Sequence, residues 1–216
     1  MNHLCALILA LFVFWPTLAQ ADLGQVKQAY QAKDWPKAHA LLKPLIAQNN
    51  PDAHFYLANL YLEGYGAPQN FPLAHTHYQE AAKGYNPDAM LALATLYSSG
   101  KGVTANKKIS LYWFEQAARF GNIPAQFMLG GINFGGDRDF AERDLIKAYK
   151  WFSLVSQNTA TSSKRMHDVA TRMKDMLYKN FTETEKALAD EALKSFAPLS
   201  RDEAQKQKIV FSPPAP

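Results

Sequence analysis

The chain has 216 residues, enough for one ordinary domain or a short array of repeats, and 48% of them are hydrophobic, which excludes global disorder. The net charge of +4 comes from 23 basic and 19 acidic residues scattered along the chain, without a polybasic run. A nucleic-acid partner, which calls for a concentrated positive patch, is therefore not expected.

The N-terminus opens with an apolar stretch over residues 4–18, followed by Ala19-Gln20-Ala21. Small residues at those two alanine positions suit a signal peptidase, and the stretch is shorter than the ~20 apolar residues a bilayer span needs. The expectation is a signal peptide over residues 1–21, cleaved after Ala21. The mature protein would then be periplasmic or secreted, with no membrane insertion. An uncleaved N-terminal anchor is the alternative, since the positive segment that should precede the apolar run is almost missing. Cys5 is the only cysteine and lies at the start of the apolar run rather than at its end, which argues against a lipid anchor. Cleavage would leave no thiol, hence neither a disulfide framework nor a thiolate metal site.

Residues 22–50 read as a helix pair, with Leu23, Val26 and Tyr30 on one helix and Ala38, Leu41, Leu42, Leu45 and Ile46 on the other. Pro36 suits a first helical turn, whereas Pro44 falls in a helix interior and predicts a bend.

An internal period of 36 residues follows. It aligns Ala53, Ala89 and Ala125; Leu57, Leu93 and Leu129; Leu60, Leu96 and Ile132; and Gly64, Gly100 and Gly136. Units at residues 51–86, 87–122 and 123–159 each read as two helices. The aligned positions fall on one face of the first helix, a glycine-bearing loop ends it, and Asn70, Asn106 or Asp144 caps the second. The second helices carry Ala74, His77, Tyr78, Ala81 and Ala82; Ser110, Trp113, Phe114, Ala117 and Ala118; and Ala148, Trp151, Phe152, Val155 and Ser156. Bulky rings alternate with small residues, the pattern of closely packed helices. Helices of about 12 residues are marginal alone, so the pairs must stack.

Residues 160–208 predict capping helices. Met166, Val169, Ala170, Met173 and Leu177 form one stripe, and a Thr182/Glu185 capping box precedes Leu188, Ala192, Leu193 and Phe196. Residues 209–216, rich in proline, predict a disordered tail. The fold class is all-α, an α-solenoid of antiparallel helix pairs forming a right-handed superhelix.

The segments AHFYLANLYLEGYGAPQNFPLAHTHYQEAAKGYNPDA and AMLALATLYSSGKGVTANKKISLYWFEQAARFGNIPA resemble Sel-one-like repeats, of the tetratricopeptide-like kind. KDWPKAHALLKPLIAQNNPDA resembles the half-repeat that often opens such arrays. The sequence departs from the family pattern at Ala58 and Ala94, where glycine is usual, at His77, where tryptophan is usual, and in the inverted order of Gly84-Tyr85. The resemblance implies a superhelix with a concave groove, used as an adaptor or scaffold, and exported members serve in envelope assembly, secretion and host contact.

Little chemistry is written into the chain. Ser98 and Lys101 form a Ser-x-x-Lys motif, but neither Ser-Asp-Asn nor Lys-Thr-Gly accompanies it. His75 and His77 lie roughly 200° apart around a helix and cannot share an ion. His77 reads as a core substitute for tryptophan, and His39 and His54 have no ligand partner nearby in sequence. Gly-x-Gly at 64 and 100 follows a helix rather than a strand, which excludes a nucleotide loop. No catalytic residue, metal or cofactor is expected.

Removing the buried stripe from each first helix leaves the face turned toward the groove. It carries Tyr56, Asn59 and Glu63; Ala92, Thr95 and Ser99; and Met128, Gly131 and Gly135. Amides and hydroxyls there can pair a peptide backbone while Tyr56 and Met128 anchor side chains. The expected function is a non-catalytic, exported adaptor that binds a protein or extended peptide through this face. The alternatives are a structural subunit of an envelope machine, such as a flagellar motor ring or export complex, and, more remotely, a β-lactamase-like envelope hydrolase. The sequence leaves the oligomeric state open.

Overall fold

The computed structural model describes residues 22–136, 142–158 and 163–215; the expected signal peptide and its cleavage site lie outside them. Among the described residues every regular element is a helix: α1 (Leu23–Gln31), α2 (Trp35–Ala47), α3 (Pro51–Glu63), α4 (Phe71–Lys83), α5 (Pro87–Ser99), α6 (Lys107–Arg119), α7 (Ile123–Gly135), α8 (Leu145–Gln157), α9 (Lys164–Asn180), α10 (Glu183–Lys194) and α11 (Arg201–Lys206). Consecutive helices pack as pairs, α1 on α2, α3 on α4, α5 on α6 and α7 on α8, and each pair leans on the next. The chain is an α-solenoid.

Local chemistry sets the helix ends. Asn70, Asn106 and Asp144 cap α4, α6 and α8, each side chain accepting a backbone N–H three residues on. Asn50, Asn86 and Asn122 do the same for α3, α5 and α7, in each case with a proline in the first turn. Gly100 ends α5 in the left-handed region, at φ 72°. The second glycine of that loop has a further reason to be there: a Cβ on Gly102 would lie 2.6 Å from the Phe71 Cβ and 2.7 Å from the Phe71 carbonyl carbon. The loop of one repeat thus rests on the start of the second helix of the repeat before it, which ties neighbouring units together.

The second-helix stripes are buried as the spacing predicts: Tyr78, Trp113, Phe114, Trp151 and Phe152 alternate with Ala74, Ala81, Ala82, Ala117, Ala118 and Ala148. Burying rings of this size contributes about 1.5–3 kcal/mol each, the term that holds helices too short to stand alone. Two sequence expectations shift by one position. On α3, His54 and Ala58 are buried while Leu57 is only half-buried, because the face of α3 turned toward α4 includes positions 54 and 58. On α10, Ala189 rather than Leu188 points inward, and Leu188 is 52% exposed. A small residue is what lets α10 approach α8. Pro44 lies inside α2, which continues on both sides of it.

The C-terminal region departs most from expectation. Beyond α10 the chain turns back along earlier repeats. The Trp151 and Phe196 rings meet edge-on at 5.4 Å, the Leu199 amide donates to the Arg119 carbonyl at 2.8 Å, and Arg201 of α11 bonds Asp52 of α3 at 2.8 and 3.3 Å. Residues 209–212, expected to belong to a disordered tail, instead lie against the second repeat. The Phe211 ring is held among Tyr85, Trp113 and Phe120. Composition alone misread this segment, because its proline content sits beyond an Ile-Val-Phe stretch that finds an aromatic surface.

Candidate functional site

The first helices α3 and α5 stand side by side with Tyr78 of α4 between them, and their exposed faces enclose a groove of about 440 Å³. Its floor is apolar, made by Phe55, Leu62, Phe71, Leu91 and Leu96. Glu63, Asp88 and Lys101 supply charge at its edges. Of the residues selected from sequence, the structure brings Asn59, Glu63, Ala92, Thr95 and Ser99 together on this surface.

Four of the selected residues, Tyr56, Met128, Gly131 and Gly135, lie elsewhere. Tyr56 packs with the N-terminal pair: its ring meets Tyr30 at 5.1 Å, its carbonyl accepts the Tyr30 hydroxyl at 3.1 Å, and it lines a separate hollow with Lys27, Tyr30 and Gln31. The helix pair stacked before α3 captures it. Met128 is 46% exposed on α7, and a Cβ on Gly131 would meet nothing within 4 Å. Gly131 and Gly135 raise no side-chain wall beside Met128, so the face of the third repeat stays open where that of the first two encloses a groove.

Hydrogen bonding inside the groove decides which groups can reach a ligand. Thr95 Oγ1 donates to the Leu91 carbonyl at 3.0 Å and Ser99 Oγ to the Thr95 carbonyl at 2.8 Å, so both hydroxyls turn back on their own helix. Asn59 Oδ1 accepts from the Tyr78 hydroxyl. That bond fixes the Asn59 amide with its nitrogen outward, and among the described residues this nitrogen has no protein partner. Burial, with the nearby Glu63 carboxylate adding, raises the Tyr78 hydroxyl well above its ordinary value and keeps it a neutral donor. Asp88 is raised too, by partial desolvation and by nearby Asp52, against the opposing bond from Asn122.

The residues that sequence reasoning missed are the floor and the edge. Phe55 and Leu91 share a column of the 36-residue period that lies outside the four aligned ones, Leu62 lies on the first helix beyond those columns, and Phe71 and Lys101 come from loops and helix starts that the fold brings alongside. Ser98, the serine of the Ser-x-x-Lys motif, is exposed, and Lys101 Nζ sits 5.8 Å over the Phe71 ring. Lys101 thus already has a packing role.

The histidines form an arrangement that the sequence hid. His54 Nδ1 and His77 Nδ1 are 3.0 Å apart between α3 and α4, and the His77 ring stacks on Tyr61 at 5.8 Å. One ring must donate and the other accept, which requires at least one neutral imidazole. Burial lowers both pKa values, with Glu80 opposing at each and the mutual repulsion adding at His77. His75 pairs instead with the Tyr97 hydroxyl at 3.1 Å. Among the described residues no group of three or more histidine, cysteine or acidic side chains is placed to hold a metal ion.

Comparison with known proteins agrees with the architecture. The Sel1 repeat family model matches residues 51–86, 87–122 and 123–156. Among solved structures, a Sel1 repeat protein from Oxalobacter formigenes superposes with a TM-score of 0.66 at 21% identity, over 80% of this chain and 68% of that one. The protective antigen c5321 of uropathogenic Escherichia coli, described as displaying an SLR fold, gives a TM-score of 0.46 at 22% identity, over 90% of this chain and half of that one. No curated protein matches the chain.

Proposed function

The chain is a Sel1-repeat protein, of a family that generally serves as protein–protein interaction scaffold, and on that premise we propose that it binds an extended segment of a partner protein in the groove between α3 and α5. The observation that carries this reading is the outward amide nitrogen of Asn59, fixed by Tyr78, above an apolar floor. A donor held in place at the edge of an apolar trough suits a backbone carbonyl of the bound segment, while its apolar side chains fill the space over Phe55, Leu62 and Leu91. Glu63, at the end of α3, favours a cation or N–H of the segment beside it. The chain acts by binding, without catalysis.

Peptides selected from a displayed library against the full chain test the groove. Ala92→Arg, which drives a long cation into it, should abolish their binding, and Met128→Arg on the open third repeat should leave it intact. Equal binding to the Ala92→Arg chain would reject the groove.

The setting proposed for this binding is outside the cytoplasm, after removal of residues 1–21. It is supported by the apolar N-terminal run and the Ala19-Gln20-Ala21 site. No helix among the described residues is long and apolar enough to cross a membrane. Mass spectrometry of the mature chain should find Asp22 at its N-terminus; an intact Met1 in the envelope fraction would reject cleavage.

A further inference from the structure

The N-terminal pair and the first two repeats each turn from their second helix into the next first helix through one residue in the left-handed region. The residues at this point, 36 apart, are Asn49, Tyr85 and Gly121, with φ of 55°, 62° and 77°. Asparagine and glycine adopt this conformation readily, and tyrosine does not. The strain at Tyr85 accompanies a specific set of contacts. Its hydroxyl donates to the Ile209 carbonyl at 3.0 Å, and its ring lies 5.8 Å from Phe211 and 5.9 Å from Phe120. Trp113 stands 5.7 Å from the same Phe211 ring, and Phe120 6.2 Å. At the far end of the segment, the Ser212 amide donates to the Tyr112 hydroxyl at 2.9 Å.

These contacts have the form of a peptide-binding slot. Two tyrosine hydroxyls satisfy backbone groups of residues 209 and 212, one as donor and one as acceptor, and three rings surround the side chain between them. Ile209 and Phe211 turn inward while Val210 is 82% exposed, the alternation of an extended segment. Backbone pairing at both ends with a side-chain pocket between is how extended peptides are recognised irrespective of most of their sequence. None of Tyr85, Tyr112, Trp113 and Phe120 lines the groove between α3 and α5.

The geometry points to a second binding site, formed by Tyr85, Tyr112, Trp113 and Phe120, for an extended partner segment with an aliphatic–any–aromatic pattern. The chain's own Ile209-Val210-Phe211 occupies it in the free protein. The C-terminal segment is then an intramolecular competitor, and a partner must displace it. This site is independent of the groove, so its failure leaves the proposed function untouched.

The test uses the full chain with Phe211→Ala, which empties the pocket, and a labelled peptide spanning residues 206–216. Fluorescence anisotropy should show saturable binding to the Phe211→Ala chain. The intact chain should bind on the order of 100-fold more weakly, because a tethered competitor acts at roughly millimolar effective concentration. Adding Tyr85→Gly, which suits the turn and removes the ring and hydroxyl, should abolish binding while the far-ultraviolet dichroism stays helical. A peptide carrying the Phe211→Ala change should not bind either. Absent binding to the opened chain, equal binding to the opened and intact chains, or indifference to Tyr85→Gly would each overturn the assignment. So would loss of folding in the Phe211→Ala chain, which would make the segment a structural cap. A Phe211-dependent dimer of the intact chain in light scattering would give the slot to a second copy and overturn it as well.

Discussion

Asn122 donates its side-chain amide to the Asp88 carboxylate at 2.8 Å while its own carbonyl oxygen accepts the Ala125 amide at 2.9 Å. One repeat earlier, Asn86 does the same with Asp52, at 2.7 Å, and with the Ala89 amide, at 2.8 Å. A single buried asparagine thus caps its own helix and clasps the first helix of the preceding repeat. Stacking in this solenoid is directed by a polar ladder as well as by apolar burial.

Asn122→Ala should destabilise the chain by about 2 kcal/mol, from the lost cap and the lost inter-repeat bond together. Asn122→Asp separates the two effects. Aspartate keeps the cap but sets a carboxylate against Asp88, so its destabilisation in urea titrations should be greater at pH 7 than at pH 4. Equal losses at the two pH values would remove the ladder from the account.

Arg201 and Asp52 join the C-terminal helix to the first repeat. Burial pushes the Asp52 carboxyl up, but the Arg201 guanidinium and the Asn86 amide more than offset it and hold the carboxyl below its ordinary range. A depressed carboxylate stabilises the fold at pH above its unfolded value and loses that contribution as pH falls through the folded one. Arg201→Ala should therefore cost about 1 kcal/mol near neutrality, modest because both side chains are partly exposed, and nothing once Asp52 is protonated. Thermal melts across that acid range check it.

The His54–His77 pair makes the first repeat sensitive to acid. Both folded pKa values are lowered, so the stability from neutral rings is full above the ordinary histidine value and is lost as pH falls through the folded ones. Glu80 faces both rings and moderates the loss. His77→Phe removes one of the two titrating groups and keeps a ring against Tyr61. The melting temperature of this variant should fall less steeply than that of the parent chain between about pH 7 and pH 5.

Gly102→Ala should be among the most damaging single-methyl additions in the chain. The added carbon would sit at φ 72° and 2.7 Å from backbone of Phe71, where no side-chain rotation gives relief. A loss of about 2 kcal/mol or more is expected in chemical unfolding, against nearly none for Gly131→Ala, whose Cβ meets open space.

The repeat columns made the helix pairs legible because each column has one physical reason that recurs with the period. Alanine at 53, 89 and 125 is buried in all three units, and the rings at 78, 114 and 152 fill the same space each time. The asparagine ladder obeyed the same period and could have been found by the same alignment, but its polar residues looked like ordinary turn residues. The candidate groove was only partly legible. Asn59, Ala92 and Thr95 meet because adjacent repeats place equal faces side by side, whereas Tyr56 is diverted by a helix pair outside the repeat and Met128 stands on a face that its neighbouring glycines leave open.

The sequence by itself determined the helices, their caps and their order, since these depend on residues three to eight positions apart and on a pattern repeated every 36. Only the tertiary structure decided that His54 would face His77, that Arg201 would reach Asp52 across 149 residues, and that Phe211 would return to Tyr85. Those contacts occur once each and join segments far apart in the chain. No periodicity announces them, and they exist only because stacking has already fixed where each helix end stands.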